Sequence, residues 1–305
     1  MNEGPSPEVR STRGAPEPSA PADPGSGLTP NDIGAHLAPK ADVRRVLLSS
    51  ATALVVAVLL MFLLHETAHS LASLALGLRA VQYPPAVDTL PAPTGAVDAT
   101  IALAGPIFSL VSGLILIAVL PRRAGSWWLL LATWFGYVSV MEFVGYLMTT
   151  PFGSTGDIGH AFAALGWPDV ASWVAFVLGG IGMVALARSF STRAVRWTRD
   201  LYEIRAFTVW TWLFGGLAIA ALEAVFLTLM ETDIDGAAIV LVMMATFAVG
   251  SFAPLSMSFY RREFARTDPA DRPRQAAPGV PVTGWILLAV LIGVNLLLTQ
   301  GLQLG

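Results

Sequence analysis

The 305-residue chain contains no cysteine. That excludes disulfides and thiolate metal ligands, so any metal site has to be built from His, Asp or Glu. Charge is also scarce. Only 13% of the residues are Asp, Glu, Lys or Arg, about half the share of a soluble globular domain. Histidine occurs only at His36, His65, His69 and His160. Apolar residues make up 54% of the chain and the mean hydropathy is +0.64, a composition that points to a polytopic membrane protein. The net charge of -3 says less than the way the charges are distributed.

Residues 1–43 are rich in Pro, Ala, Gly and Ser and nearly free of large apolar side chains. Such a segment cannot bury enough surface to offset its ordering entropy, so it reads as a disordered tail. It lacks the apolar core of a signal peptide, and the first apolar run is expected to act as an uncleaved anchor. Apolar runs of membrane-helix length fall at about 46–77, 99–120, 127–149, 168–187, 206–230, 237–258 and 283–300. The predicted fold class is all-α, a transmembrane helical bundle of about seven spans. No internal repeat relates its halves.

The basic residues alternate from loop to loop. Seventeen of the 18 lie in the tail, after the second run, after the fourth and after the sixth; Arg79 is the exception. By the positive-inside rule the N-terminus is cytoplasmic and the C-terminus outside, as in an integral protein of the cell membrane. Arg-rich loops of this kind set topology and contact anionic lipid rather than nucleic acid. Most of the Trp residues, among them Trp127, Trp167 and Trp285, fall near span ends, as interfacial anchors do.

Within the first run stands His65-Glu66-Thr67-Ala68-His69. On a helix this spacing puts two imidazoles on one face, one turn apart, with a carboxylate between them. Ionisable groups inside a membrane span are costly and by default functional. A catalytic zinc site takes three protein ligands and leaves a position for water. Asp157, in Thr155-Gly156-Asp157-Ile158-Gly159-His160, is the best third ligand, because the nearby glycines let the backbone approach closely. His160 fits a supporting or surface position better than direct ligation. Glu66 has the place of the general base. His65 lies about 30 Å along the helix from Arg45, so the site is expected toward the extracytoplasmic side. Glu142, in the third run, is expensive in lipid unless paired and could approach the site or hydrogen-bond another helix. Glu223, in the fifth run, carries the same cost and receives no role.

His65-Glu66-Thr67-Ala68-His69-Ser70-Leu71-Ala72 followed by Ala75-Leu76-Gly77 resembles the zinc helix of the site-two protease family of intramembrane metalloproteases. Ile101-Ala102-Leu103-Ala104-Gly105-Pro106 is similar to that family's Ala-Gly-Pro motif, and Pro151 through Asp157 with Gly159 to its Asp-Gly motif. The resemblance covers about residues 46–190 and leaves no room for an inserted PDZ-type domain. It implies a three-helix catalytic core within 44–190, zinc on His65, His69 and Asp157, Glu66 as base, and a membrane protein cleaved within its transmembrane segment. Residues 191–305 would be additional transmembrane helices. The chain departs from the family at Ala68, where Gly is common. It departs again at Ser109, where an Asn able to position substrate usually stands, and at Gly156 and Ile158 around the Asp. The inferred orientation also places the metal nearer the outside than in well-known members. In the family the stretch equivalent to 79–98 often forms strands or a re-entrant loop, but here its prolines predict an irregular connection. Two other classes fit the same residues: a non-catalytic membrane scaffold that retains the fold, and, more weakly, a metal transporter.

Overall fold

The computed structural model describes residue 1 and residues 40–153, 156–230, 245–273 and 277–305. Most of the expected N-terminal tail, and the first part of the run at 237–258, lie outside the described residues.

The chain is mostly helical. The elements are α1 (Lys40–Ala75), β1 (Arg79–Gln82), β2 (Val87–Leu90), α2 (Gly95–Val119), α3 (Trp127–Thr149), α4 (Asp157–Ala164), α5 (Asp169–Ala194) and α6 (Leu201–Arg205). A π turn over Ala206–Trp210 joins α6 to α7 (Thr211–Leu229); α8 (Phe252–Arg266), α9 (Val282–Leu298) and β3 (Leu302–Leu304) follow. Five helices, at 40–75, 95–119, 127–152, 169–194 and 201–229, are long and apolar enough to cross a membrane.

Two expectations change. Residues 40–43 are not tail but the first turn of α1. Asp42 sits there, where a carboxylate suits the helix N-terminus, and accepts a 2.7 Å hydrogen bond from Arg199 Nη2. The connection at 79–98 is also more regular than its prolines predict. β1 pairs antiparallel with β2, Arg79 opposite Leu90, and with β3, Ala80 opposite Leu304. Pro84 and Pro85 fall between the strands and Pro91 just after β2, so no proline interrupts the ladder. The fold is thus a helical bundle with one small three-stranded sheet, in the order β2-β1-β3.

α1 is the central helix. Two thirds of its apolar stretch is buried inside the molecule, against 22% for α5. Among membrane helices close packing replaces the hydrophobic drive, and small residues permit it. At the α2–α3 crossing a methyl group on Gly113 would lie 2.6 Å from the Gly136 carbonyl oxygen, so the backbones touch directly.

The C-terminal helices pack onto this core. Phe190 of α5 meets Trp134 and Tyr137 of α3 and Phe252 of α8 with ring centroids 4.9–5.0 Å apart. Trp134 Nε1 donates to Ser50 Oγ of α1 at 3.0 Å, and Ser50 Oγ donates to the Phe207 carbonyl in the π turn at 3.3 Å.

The end of α1 is fixed in both direction and polarity. Gly77, at φ 77°, takes the left-handed conformation that closes a helix and turns the chain into β1. Gln82 of β1 accepts from Ser70 Oγ at 3.2 Å and donates to Thr67 Oγ1 at 3.3 Å. Ser73 Oγ lies 2.8 Å from Thr89 Oγ1 of β2. The polar residues that flank His65 and His69 on this apolar helix therefore dock the hairpin.

Candidate metal centre

His65 and His69 project from α1, one turn apart, with ring centroids separated by 4.8 Å. α4 brings Asp157, its first residue, to the same point. Asp157 Oδ2 lies 2.8 Å from His65 Nε2 and 3.2 Å from His69 Nε2, and the two Nε2 atoms are 3.1 Å apart. One ligand atom from each of the three residues falls within 4.8 Å of the others, so the group could hold a metal ion. Tetrahedral coordination with bonds of about 2.0–2.1 Å sets neighbouring ligand atoms about 3.3 Å apart, close to the separations found.

The imidazole tautomers sharpen this geometry. His69 Nδ1 donates to the Ile101 carbonyl of α2 at 2.7 Å. A carbonyl can only accept, so the neutral ring keeps its proton on Nδ1 and turns a lone pair at Nε2 toward the centre. His65 Nδ1 lies 3.1 Å from Ser109 Oγ, also on α2, and the hydroxyl accepts when that nitrogen carries the proton. Two nitrogen lone pairs and a carboxylate oxygen then converge. They repel one another unless positive charge, as protons or as a cation, lies between them. Asp157 responds to these neighbours: burial pushes its carboxyl up, but the two imidazoles outweigh burial and hold it below the usual carboxylate range. Its side chain keeps 27% of its exposure.

α2 closes over the imidazoles at Gly105. A Cβ built there would lie 2.6 Å from His65 Nε2, 2.7 Å from His65 Cδ2, and closer still to His69 Nε2. Only a residue without a side chain leaves that space open. On the opposite side Tyr146 of α3 stacks on His65, with centroids 5.8 Å apart and planes inclined by 28°. A Cβ on Gly156 would meet the Tyr146 ring at 2.8 Å, so glycine before Asp157 is what lets the loop pass the ring and deliver the carboxylate.

Glu66 is buried beside the ligands, and among the described residues no hydrogen bond engages its carboxylate. It feels the charges of His69 and Asp157. Ser109 is placed to orient His65 rather than to face the open centre. Glu142 interacts with Asp157 and with Tyr146, one turn further along α3. His160 is not part of the ligand set. Its Nε2 lies 3.0 Å from both carboxylate oxygens of Asp98 at the start of α2, with the imidazole half exposed. Although it shares α4 with Asp157, it ties α4 to α2 at the surface.

Sequence reasoning singled out neither Tyr146 nor the Ile101 carbonyl, and it did not give Gly105 a place at the centre. A signal existed for Tyr146, which follows Glu142 by four residues and so shares its helix face. Glu223 of α7 is buried as well, with one carboxylate oxygen unpartnered among the described residues. Comparison of the chain with protein-family models, with curated proteins and with solved structures finds no match.

Proposed function

We propose that the protein is an intramembrane zinc metalloprotease, of the site-two type that its motifs resemble, which hydrolyses a peptide bond in or near the transmembrane segment of a membrane protein substrate. The observation that carries this reading is the convergence of His65, His69 and Asp157 beside the unengaged carboxylate of Glu66. The donor set fits zinc: two imidazole nitrogens and one carboxylate oxygen are a common catalytic ligand set, with a position left for water. When bound there, zinc supplies Lewis acidity to a water molecule and to the carbonyl of the scissile bond.

The chain's own residues supply the rest. Ile101 and Ser109 hold the two rings by their Nδ1 atoms, so both Nε2 atoms face the centre. The Glu66 carboxylate takes a proton from the attacking water and passes it to the nitrogen of the departing amine, leaving a carboxylic acid and an amine as products. The β1–β2 hairpin, hydrogen-bonded to the same stretch of α1, offers the outer edge of β2 to an extended substrate.

Membrane orientation follows from the same elements. α1 and α9 each lead into a strand within a few residues, and those strands pair. Both helices therefore end on one side of the membrane, which supports an odd number of crossings. The five long helices and α9 make six among the described residues, so an odd number requires one crossing more. With the basic loops inside, the metal centre and Gly305 lie on the outer side of the cell membrane.

The test is a Glu66→Gln variant expressed with a panel of single-span substrates. Native protein should carry about one zinc per chain and cleave a substrate; the variant should keep the zinc and lose cleavage. Zinc present but no cleavage by the native chain, or full activity in the variant, defeats the proposal.

A further inference from the structure

A second site lies far along the bundle from the metal centre. The C-terminal halves of α2 and α5, with the end of α8 and the turn after it, enclose an open cavity of about 1190 Å³. One end is apolar. Val177, Ile181 and Val184 form a stripe on α5 and are each more than half exposed or close to it. The stripe leads to Arg188, one turn beyond Val184. Eleven residues of helix separate Val177 from Arg188, about 16 Å of groove at 1.5 Å per residue. The other end is cationic, lined by Arg122, Arg188, Arg193, Arg196 and Arg266.

Five guanidinium groups line the cavity against three carboxylates, so it keeps a net positive charge of two. Three carboxylates line the cavity, those of Glu263, Asp268 and Asp271. Asp271 lies 3.8 Å from Arg196 and Glu263 lies 3.9 Å from Arg266, while Asp268 accepts from the Ala270 N–H at 2.8 Å. Among the described residues Arg122, Arg188 and Arg193 form no ion pair. Arg193 is buried and directs its guanidinium at the last carbonyls of α2 and the turn after it, Ile117, Leu120 and Pro121. These carbonyls form the C-terminal end of α2, where a cation is favoured, so Arg193 is held there and leaves the open groove to its neighbours. Among the described residues Arg196 Nε is buried with no hydrogen-bond partner, while its Nη1 donates to the Arg122 carbonyl at 3.0 Å.

An exposed apolar trough that ends in a net-cationic cluster suits an anionic amphiphile. We infer that the groove binds an anionic phospholipid, with its phosphate among Arg122, Arg188 and Arg196 and an acyl chain along Val184, Ile181 and Val177. Guanidinium groups pair with phosphate by bidentate hydrogen bonds, and the side of the membrane that gathers basic loops is the side where anionic lipid is concentrated. Nothing in this depends on the chemistry at His65, His69 and Asp157.

The full-length protein in neutral detergent is titrated with phosphatidylglycerol, phosphatidylcholine or inorganic phosphate, and bound lipid is counted by native mass spectrometry. Phosphatidylglycerol is expected to saturate near one copy per chain, at concentrations where phosphatidylcholine and phosphate do not bind. Arg122→Gln with Arg188→Gln should weaken it about thirtyfold, at roughly fivefold per cation. Arg261→Gln with Arg262→Gln removes the same charge from exposed positions outside the groove and should leave binding unchanged. Equal binding of the two lipids overturns the inference on the native protein alone. Competition by inorganic phosphate would assign the arginines to a soluble anion instead, and equal weakening by both double variants would reduce the effect to diffuse surface charge.

Discussion

Gly105→Ala is the smallest change that separates the metal-centre geometry from the rest of the fold. The added methyl carbon would stand 2.6 Å from His65 Nε2 and nearer to His69 Nε2. Ordinary contact begins at about 3.4 Å, so the His65 ring has to retreat by roughly 0.8 Å and the His69 ring by more. Metal–ligand bonds tolerate about 0.2 Å. The methyl group and a cation would also compete for the same space, because each has to lie close to both Nε2 atoms. The backbone of α2 cannot readily yield, since it is pressed against α3 at Gly113 and its Ile101 carbonyl accepts from His69, while the Ser109 side chain contacts His65.

Removing an outer hydrogen-bond partner of a metal ligand typically costs 10- to 100-fold in affinity. Displacing two ligands should cost at least about 100-fold, or roughly 2.7 kcal/mol. The fold itself should survive, because overpacking of this size costs about 1–3 kcal/mol and alanine is the better helix former. Metal content is measured by mass spectrometry of purified protein, and affinity by competition with a chelator. Gly180→Ala serves as the control, since a Cβ at that position on α5 meets nothing within 4 Å. A Gly105→Ala protein that binds one zinc with native affinity would refute the convergence of α1, α2 and α4 on one cation.

Ser109→Ala removes the partner of His65 Nδ1 and should lower zinc affinity about 10- to 100-fold while sparing the fold; unchanged chelator competition would deny Ser109 its orienting role. His160→Ala breaks only a half-exposed pair with Asp98, worth at most about 1 kcal/mol, and should leave zinc stoichiometry unchanged. A zinc-free His160→Ala protein would make His160 a ligand after all. A reporter fused after Gly305 should be active only outside the cytoplasm, and a cytoplasmic signal would contradict the odd number of crossings. Tyr146→Ala opens the space that Gly156 now leaves to the ring, so Asp157 should lose definition and zinc affinity should fall about tenfold or more.

What could be read from sequence follows from which interactions are local. The imidazole pair and its carboxylate are written in a five-residue spacing on one helix, where periodicity alone sets the face. The apolar runs report the long helices because hydropathy and length are one-dimensional quantities. The β1–β3 pairing is different in kind. Residues 79–82 and 302–304 are joined by backbone hydrogen bonds, which leave no mark in composition, and the prolines that argued against strands stand outside the ladder. Gly105 and Gly156 show the same limit. As letters they read as part of an Ala-Gly-Pro motif and as a glycine that permits close approach, and neither letter names the ring that comes close from another element. Ser109 changes meaning in the same way: its distance from the imidazole, not its identity, makes it an orienting hydroxyl. His160 is the converse, a metal-competent residue three positions from a ligand that its neighbour Asp98 turns toward the surface. A site assembled from three helices therefore shows its candidate ligands in the sequence, while the residues that hold them are visible only once the helices are packed.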